Sequence, residues 1–304
     1  MNLDLHRRRF LAGSLAAAAG AAAASIAPSP ACAIDPIQRT GAQRFKLACA
    51  AYSLRKYLDL KNPTLTLEAF IKQCAEWGTD GVELTEYYFK KPITPEYVLG
   101  LKRTAALWGQ DVTGTPIGNN FALPPGPERE RELETFARWI DISADIGSPA
   151  IRTFAGSPPR GVDDAQGRKW VVECLETVCG HAARRGVFLA VENHGGVVAT
   201  ADGLLEVVKA VKCEWVGINL DTGNFHTADP YGDLARCAPY AVTCQLKTEI
   251  AAAGQKKSDA DLPRIIEILR KANYRGYVTL EYEAADEPMT AVPKHLAELR
   301  RVLG

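Results

Sequence analysis

Four apolar runs in the second half of this chain each stop at a carboxylate or an amide, and that repetition constrains the fold more than any other feature. The segment 217–226, GINLDTGNFH, begins as an apolar strand, reaches Asp221 and breaks at Thr222, Gly223 and Asn224. Its acid therefore falls at the carboxyl end of a strand. The run 188–191 stops at Glu192, Asn193 and His194, the run 241–244 at Gln245, Leu246 and Lys247, and the run 277–280 at Glu281. In parallel α/β folds the carboxyl ends of the strands form the working face, where side chains distant in sequence meet.

The earlier part of the chain alternates in the same way. Strands are expected at 46–53, 81–87, 111–115, 150–154, 188–192, 216–221, 241–247 and 277–281. Helices are expected at 64–77, at 128–146, 167–185, 200–211, 233–238, 259–272 and 288–302, and one opens at Thr94 with Pro95 in its first turn. Strict alternation with no Gly-x-Gly-x-x-Gly after the first strand points to one closed (β/α)8 TIM barrel over 46–304. A doubly wound dinucleotide-binding sheet would need that glycine pattern. The segment 156–161, GSPPRG, lacks the Gly-Lys-Ser/Thr ending of a phosphate-gripping loop. With 304 residues, 47% hydrophobic, the chain is long enough to bury a core of this size.

Residues 1–33 read as an export signal. Arg7, Arg8 and Arg9 precede Phe10, Leu11 and an Ala-rich apolar stretch, and Ala31, Cys32 and Ala33 present small residues around a cleavage point. The paired arginines resemble the twin-arginine type, which implies a periplasmic or otherwise exported protein. A polar leader at 34–45 follows. No later stretch is apolar enough to cross a bilayer, so no membrane contact is expected after signal removal. Eight cysteines are present; Cys32 falls in the signal, and the others form no Cys-x-x-Cys pair and are expected to be buried and free. Lys plus Arg equals Asp plus Glu at 36 each, so no basic field would draw the chain onto nucleic acid. Whether it assembles as a homo-oligomer is left open.

A barrel would bring Glu192, Asp221, Gln245 and Glu281 to one mouth. Three acids that close repel one another, and a bound divalent cation is the usual remedy. All-oxygen ligands favour a hard or borderline ion, manganese first, with magnesium, zinc or cobalt after it. Glu283 alternates back to the Glu281 side and is the alternative ligand there. His194, His226, Lys247, Arg152 and Glu83 are candidate substrate contacts at or near strand ends. Tyr52, Tyr87 and Phe121 are candidates for an apolar wall beneath a sugar ring, with core packing as the alternative.

The motifs VENH (191–194), NLDTGN (219–224), QLK (245–247) and LEYE (280–283) resemble the late-strand motifs of the xylose-isomerase-like TIM barrels, which include sugar isomerases, epimerases and endonuclease IV. The resemblance to the ketose 3-epimerase branch implies that Glu192, Asp221 and Glu281 bind one divalent metal and that the two glutamates exchange a substrate proton. Gln245 stands where those epimerases typically have histidine. The chemistry implied is proton abstraction beside the carbonyl of a carbohydrate, through an enediolate, with Glu192 and Glu281 as the acid–base pair. The same chemistry expels a substituent in a 3-keto-glycoside lyase, and a barrel without turnover would be a sugar-binding protein. Endonuclease activity is disfavoured by the balanced charge and the few histidines.

Overall fold

The computed structural model describes residues 34–304, so the export signal read at 1–33 lies outside the described residues. One eight-stranded parallel sheet contains β1 (Phe45–Ala50), β2 (Gly81–Glu83), β3 (Asp111–Gly114), β4 (Ala150–Thr153), β5 (Phe188–Glu192), β6 (Val216–Asp221), β7 (Ala241–Leu246) and β8 (Gly276–Leu280). Hydrogen-bonded neighbours run β3-β2-β1-β8-β7-β6-β5-β4. The two ends of that order meet where the Thr115 N–H donates to the Ala150 carbonyl at 3.2 Å and the Ile117 N–H to the Arg152 carbonyl at 3.4 Å. The sheet thus curls into a near-closed TIM barrel.

Each strand is followed by a helix of the outer layer: α1 (Leu67–Glu76), α2 (Pro95–Leu107), α3 (Pro127–Ile146), α4 (Asp164–Arg185), α5 (Ala201–Ala210), α6 (Pro230–Cys237), α7 (Leu262–Lys271) and α8 (Pro288–Leu303). The Thr66, Thr94, Asp163 and Thr200 side chains accept the N–H groups of Ala69, Tyr97, Gln166 and Gly203, which starts α1, α2, α4 and α5 at fixed residues. Gly147 and Gly186 stop α3 and α4 with φ of 91° and 69°, a conformation a side chain disfavours.

Alternation along the strands decides what faces the site. Leu189 and Val191, Ile218 and Leu220, Cys244 and Leu246, and Val278 and Leu280 belong to the apolar core between sheet and helices. The intervening positions, including Glu192, Asn219, Asp221, Gln245 and Thr279, are buried on the inner side of the barrel. That inner face is polar because every second residue of β5 to β8 escapes the demand to pack under a helix.

Two readings of the sequence, the ends of the first two strands and the freedom of every cysteine, are corrected by the structure. Strands were expected to reach 53 and 87, but β1 ends at Ala50 and β2 at Glu83, and each is followed by a short 3-10 turn. Ser53 instead ties two loops together, donating to the Leu280 carbonyl at 3.0 Å and accepting the Tyr282 N–H at 2.9 Å. The loop after β7 forms a small antiparallel hairpin, Glu249–Ile250 with Ser258–Asp259, too short and polar to show as a periodic pattern. Cys179 and Cys213 form a disulfide, whereas Cys49, Cys74, Cys174, Cys237 and Cys244 are free and buried as expected. Cys179 lies on α4 and Cys213 after α5; adjacent packing of those helices sets their Cα atoms 6.3 Å apart, which spacing in sequence did not reveal.

The disulfide closes a loop with a sequence separation of 34 residues. Replacing both cysteines by serine is expected to cost about 2–4 kcal/mol, read from the denaturant midpoint without reductant. A shift no larger than that of adding reductant to the unmutated chain identifies the lost bond as the cause; no shift in either would mean that the bond contributes nothing.

The leader is part of the fold. The Ile37 N–H donates to the Pro239 carbonyl at 3.0 Å, and the Arg39 guanidinium donates to the Ala241 carbonyl at 2.7 Å while lying 5.5 Å from the centre of the Tyr274 ring. Among the described residues, no helix is long and apolar enough to cross a membrane.

Candidate active site

The carboxyl end of β6 is clamped by the residue that follows β5. The Asp221 N–H donates to Asn193 Oδ1 and Asn193 Nδ2 donates to the Asp221 carbonyl, both at 2.9 Å. Asp221 Oδ1 accepts the Gly223 N–H at 2.8 Å. Asp221 Oδ2 is buried with no hydrogen-bond partner, and the nearest positive charge is Lys247 Nζ at 3.2 Å.

Lys247 stands one residue beyond β7, and its ammonium gathers the acids of two strand ends. Nζ lies 2.6 Å from Glu281 Oε2 and 3.1 Å from Glu283 Oε2, besides the contact with Asp221. The Lys247 backbone N–H donates to Thr222 Oγ1 at 2.9 Å. Glycine at 223 is needed for this placement, because a Cβ there would come within 2.8 Å of Lys247 Cδ and 2.9 Å of the Glu249 carbonyl oxygen. Burial opposes the lysine's charge, but Asp221, Glu281 and Glu283 outweigh it and hold the group protonated well above its ordinary range. Glu281 and Glu283, weighed as alternatives from the sequence, both reach the same cation.

Glu192 forms a second pair. Its Oε2 lies 3.1 Å from Arg152 Nε, both side chains less than a tenth exposed, and its Oε1 accepts from Asn224 Nδ2 at 2.9 Å. The close approach to Arg152 is an ion pair rather than an aligned hydrogen bond, and Arg152 Nη1 is likewise without a partner. The guanidinium also stacks 3.8 Å above the Phe154 ring. Burial pushes the Glu192 carboxyl up to about 7, Arg152 opposes the shift, and Glu281 adds to it. Burial, aided by Glu192 and Glu281, pushes the Asp221 carboxyl upward, and the Lys247 ammonium 3.2 Å away opposes that shift.

Gln245 is committed to a chain of hydrogen bonds through the barrel interior. Thr243 Oγ1 donates to Asn219 Oδ1 at 2.7 Å, Asn219 Nδ2 to Gln245 Oε1 at 2.6 Å, and Gln245 Nε2 to Glu83 Oε1 at 2.7 Å. Glu83, expected as a substrate contact, is instead the acceptor at the end of this chain, and burial pushes its carboxyl up to about 8. A raised folded-state value means that the proton stabilises the fold: the contribution is complete below the ordinary 4.5 and is lost as pH climbs towards 8. Denaturation at pH 6 and pH 9 is expected to show the unmutated chain losing stability that Glu83→Gln retains, since the amide has no proton to lose. Equal losses in both would mean that Glu83 does not carry this pH dependence.

The histidines stand apart from this network. His194 is exposed after β5, its ring 4.3 Å from that of Phe154, and His226 is exposed on the loop after β6. Phe121 is fully buried against Phe136, Tyr87 is exposed, and Tyr52 lies under the Arg55 guanidinium at 5.1 Å. Asn193, Asn224, Asn219 and Arg55 were not singled out from the sequence. The three asparagines of the strand-end motifs could have been, because an amide beside a buried acid is a ready hydrogen-bond donor. Arg55 donates to the Tyr282 carbonyl at 2.9 Å and the Glu283 carbonyl at 3.3 Å, binding the loop that carries Glu283 to the loop after β1.

A family model for xylose isomerase-like TIM barrels matches residues 71–302. The chain belongs to the xylose isomerase-like TIM barrel family. Solved structures agree in fold at low identity. D-psicose 3-epimerase of Clostridium cellulolyticum H10, solved with D-tagatose, superposes with a TM-score of 0.69 at 17% identity over 85% of this chain and 99% of that one. The 3-keto-D-glucoside 4-epimerase of E. coli gives 0.66 at 18% over 86% and 100%. A family member from Mycobacterium smegmatis in complex with magnesium gives 0.68 at 17% over 85% and 96%. No protein of curated function matches the chain in sequence.

Relatives of this family bind divalent metal, as the magnesium complex shows. In the present barrel the expected ligands are drawn to different partners: Asp221 and Glu281 to Lys247, Glu192 to Arg152 and Asn224, and Gln245 to Asn219 and Glu83. Among the described residues, no three His, Cys, Asp or Glu side chains are arranged to hold a metal ion. As arranged, the four side chains do not fit one, and the cation they surround in part is an ammonium.

Proposed function

We propose that this family member is an isomerase or epimerase that moves a proton at the carbon beside the carbonyl of an unphosphorylated carbohydrate. One observation carries the reading: a buried carboxyl pushed up to about 7, Glu192, shares a polar barrel mouth with a lysine ammonium and a second carboxyl, Glu281. A base of that strength is matched to proton transfer near neutral pH. The carboxylate of Glu192 takes the proton, the carbonyl oxygen gains charge, and an N–H of Lys247 donates to it. Glu281, which accepts from Lys247 at 2.6 Å, takes a proton from that ammonium and delivers it to the opposite face for epimerisation or to the neighbouring carbon for isomerisation, and proton exchange of Glu192 and Lys247 with solvent restores both.

Arg152 Nη1, a buried donor without a hydrogen-bond partner, and Asp221 Oδ2, buried with only the Lys247 ammonium beside it at 3.2 Å, support a polyhydroxylated ligand, which offers acceptors and donors to both. Export, read from 1–33, supports an unphosphorylated sugar or a glycoside, since phosphorylated sugars belong mainly to the cytoplasm. The test is incubation of the chain in deuterium oxide with ketohexoses and 3-keto-glycosides, followed by proton NMR. Solvent deuterium at the carbon beside the carbonyl supports the reading, release of the aglycone moves it to a lyase, and binding with no exchange makes the barrel a sugar-binding protein.

A further inference from the structure

Asp221 ends β6, Glu281 follows β8 and Glu283 lies two residues further on, yet one oxygen of each comes within 3.2 Å of the same nitrogen, Lys247 Nζ. Acidic oxygens crowded around one largely buried point make a cation site, since without a positive charge they would repel one another. The ammonium is held there rather than free to swing. Its side chain is only 7% exposed, its stem lies against Gly223 where no Cβ fits, and its backbone is anchored to Thr222. The remaining oxygens that a metal would recruit are engaged elsewhere, Gln245 Oε1 by Asn219 and Glu192 by Asn224 and Arg152.

We infer that Lys247 is the resident cation of this site and competes with divalent metal for Asp221, Glu281 and Glu283. An ammonium and a metal ion on the same oxygens would stand at contact distance in a poorly screened environment, where like charges repel strongly. One must leave for the other to enter. The chain therefore binds divalent ions weakly, and removing the lysine's charge converts the same carboxylates into a metal site. This inference concerns the site of the proposed proton transfer, but its readout is bound ion, so it stands or falls separately from any turnover of sugar.

The test uses the full chain, stripped with chelator and titrated with manganese(II), with free ion followed by electron spin resonance and bound ion by elemental analysis. Lys247→Met keeps a stem of similar length without the charge. The variant is expected to bind one manganese per chain about tenfold or more tightly than the unmutated chain does. Equal affinity in the two, or no bound ion in either, would overturn the inference. Should Lys247→Met fail to fold for want of a counter-charge, acetylation of Lys247 in the unmutated chain, read by peptide mass spectrometry, decides the matter. Millimolar manganese is expected to raise Lys247 modification severalfold by releasing the ammonium, and unchanged modification would overturn the inference.

Discussion

Glu192→Gln is expected to slow solvent-deuterium exchange into the carbohydrate substrate by about 10²–10⁴-fold, the usual contribution of a positioned general base. That range corresponds to about 3–5 kcal/mol of lost transition-state stabilisation. The amide preserves the side chain's size and can still accept from Asn224, which donates at 2.9 Å. Binding measured by calorimetry should change little, because the lost group acts on the proton in flight rather than on the resting ligand. Full exchange in the variant would remove Glu192 from the role of base and leave Glu281 as the candidate. The rate in the unmutated chain should also rise with pH through about 7, as the carboxyl loses its proton and becomes a base.

Arg152→Met is expected to destabilise the fold by about 3–5 kcal/mol above neutral pH, the cost of stranding a buried charge. Arg152 and Glu192 have side chains 7% and 3% exposed, so water cannot replace the lost partner. Methionine keeps part of the contact with Phe154 but offers no charge. Glu192 already sits up at about 7 with the arginine present, and removing it pushes the carboxyl further up. The variant's penalty should therefore shrink at pH 5.5, where Glu192 is neutral, and be largest at pH 8.5, where an unpaired carboxylate must be buried. Denaturant unfolding at the two values checks the sign. A penalty independent of pH would assign the loss to packing on Phe154 rather than to the ion pair.

Much of the frame was legible because it repeats. β5 and β6 have the expected limits, and Asp221 and Gln245 sit opposite one another in the ladder between β6 and β7. Period-two alternation also places Glu192, Asp221 and Gln245 on the inner face, since every second residue there is spared from packing under a helix. Strand ends at β1 and β2 were overextended because Ala51, Tyr52, Leu84 and Tyr87 are as apolar as the strands they follow, and the 3-10 turns at Ala51–Leu54 and Glu86–Tyr88 take the chain out of the sheet.

The sequence by itself determined the alternating strands and helices, the polar inner face, and which acids stand at the strand ends, because each depends on residue type and local period. Only the tertiary structure decided which partner each acid takes. Lys247 carries a long stem that reaches whichever carboxylates β6 and β8 present, and the space beside Gly223 directs it to Asp221, Glu281 and Glu283. Gln245 turns to Asn219 on the neighbouring strand β6 and to Glu83 on β2, a strand distant in sequence and not paired with β7 in the sheet. Cys179 meets Cys213 only because α4 and the end of α5 lie side by side. Side-chain partnerships across a closed barrel depend on distances of a few ångströms between strands, and no spacing along the chain encodes those distances locally.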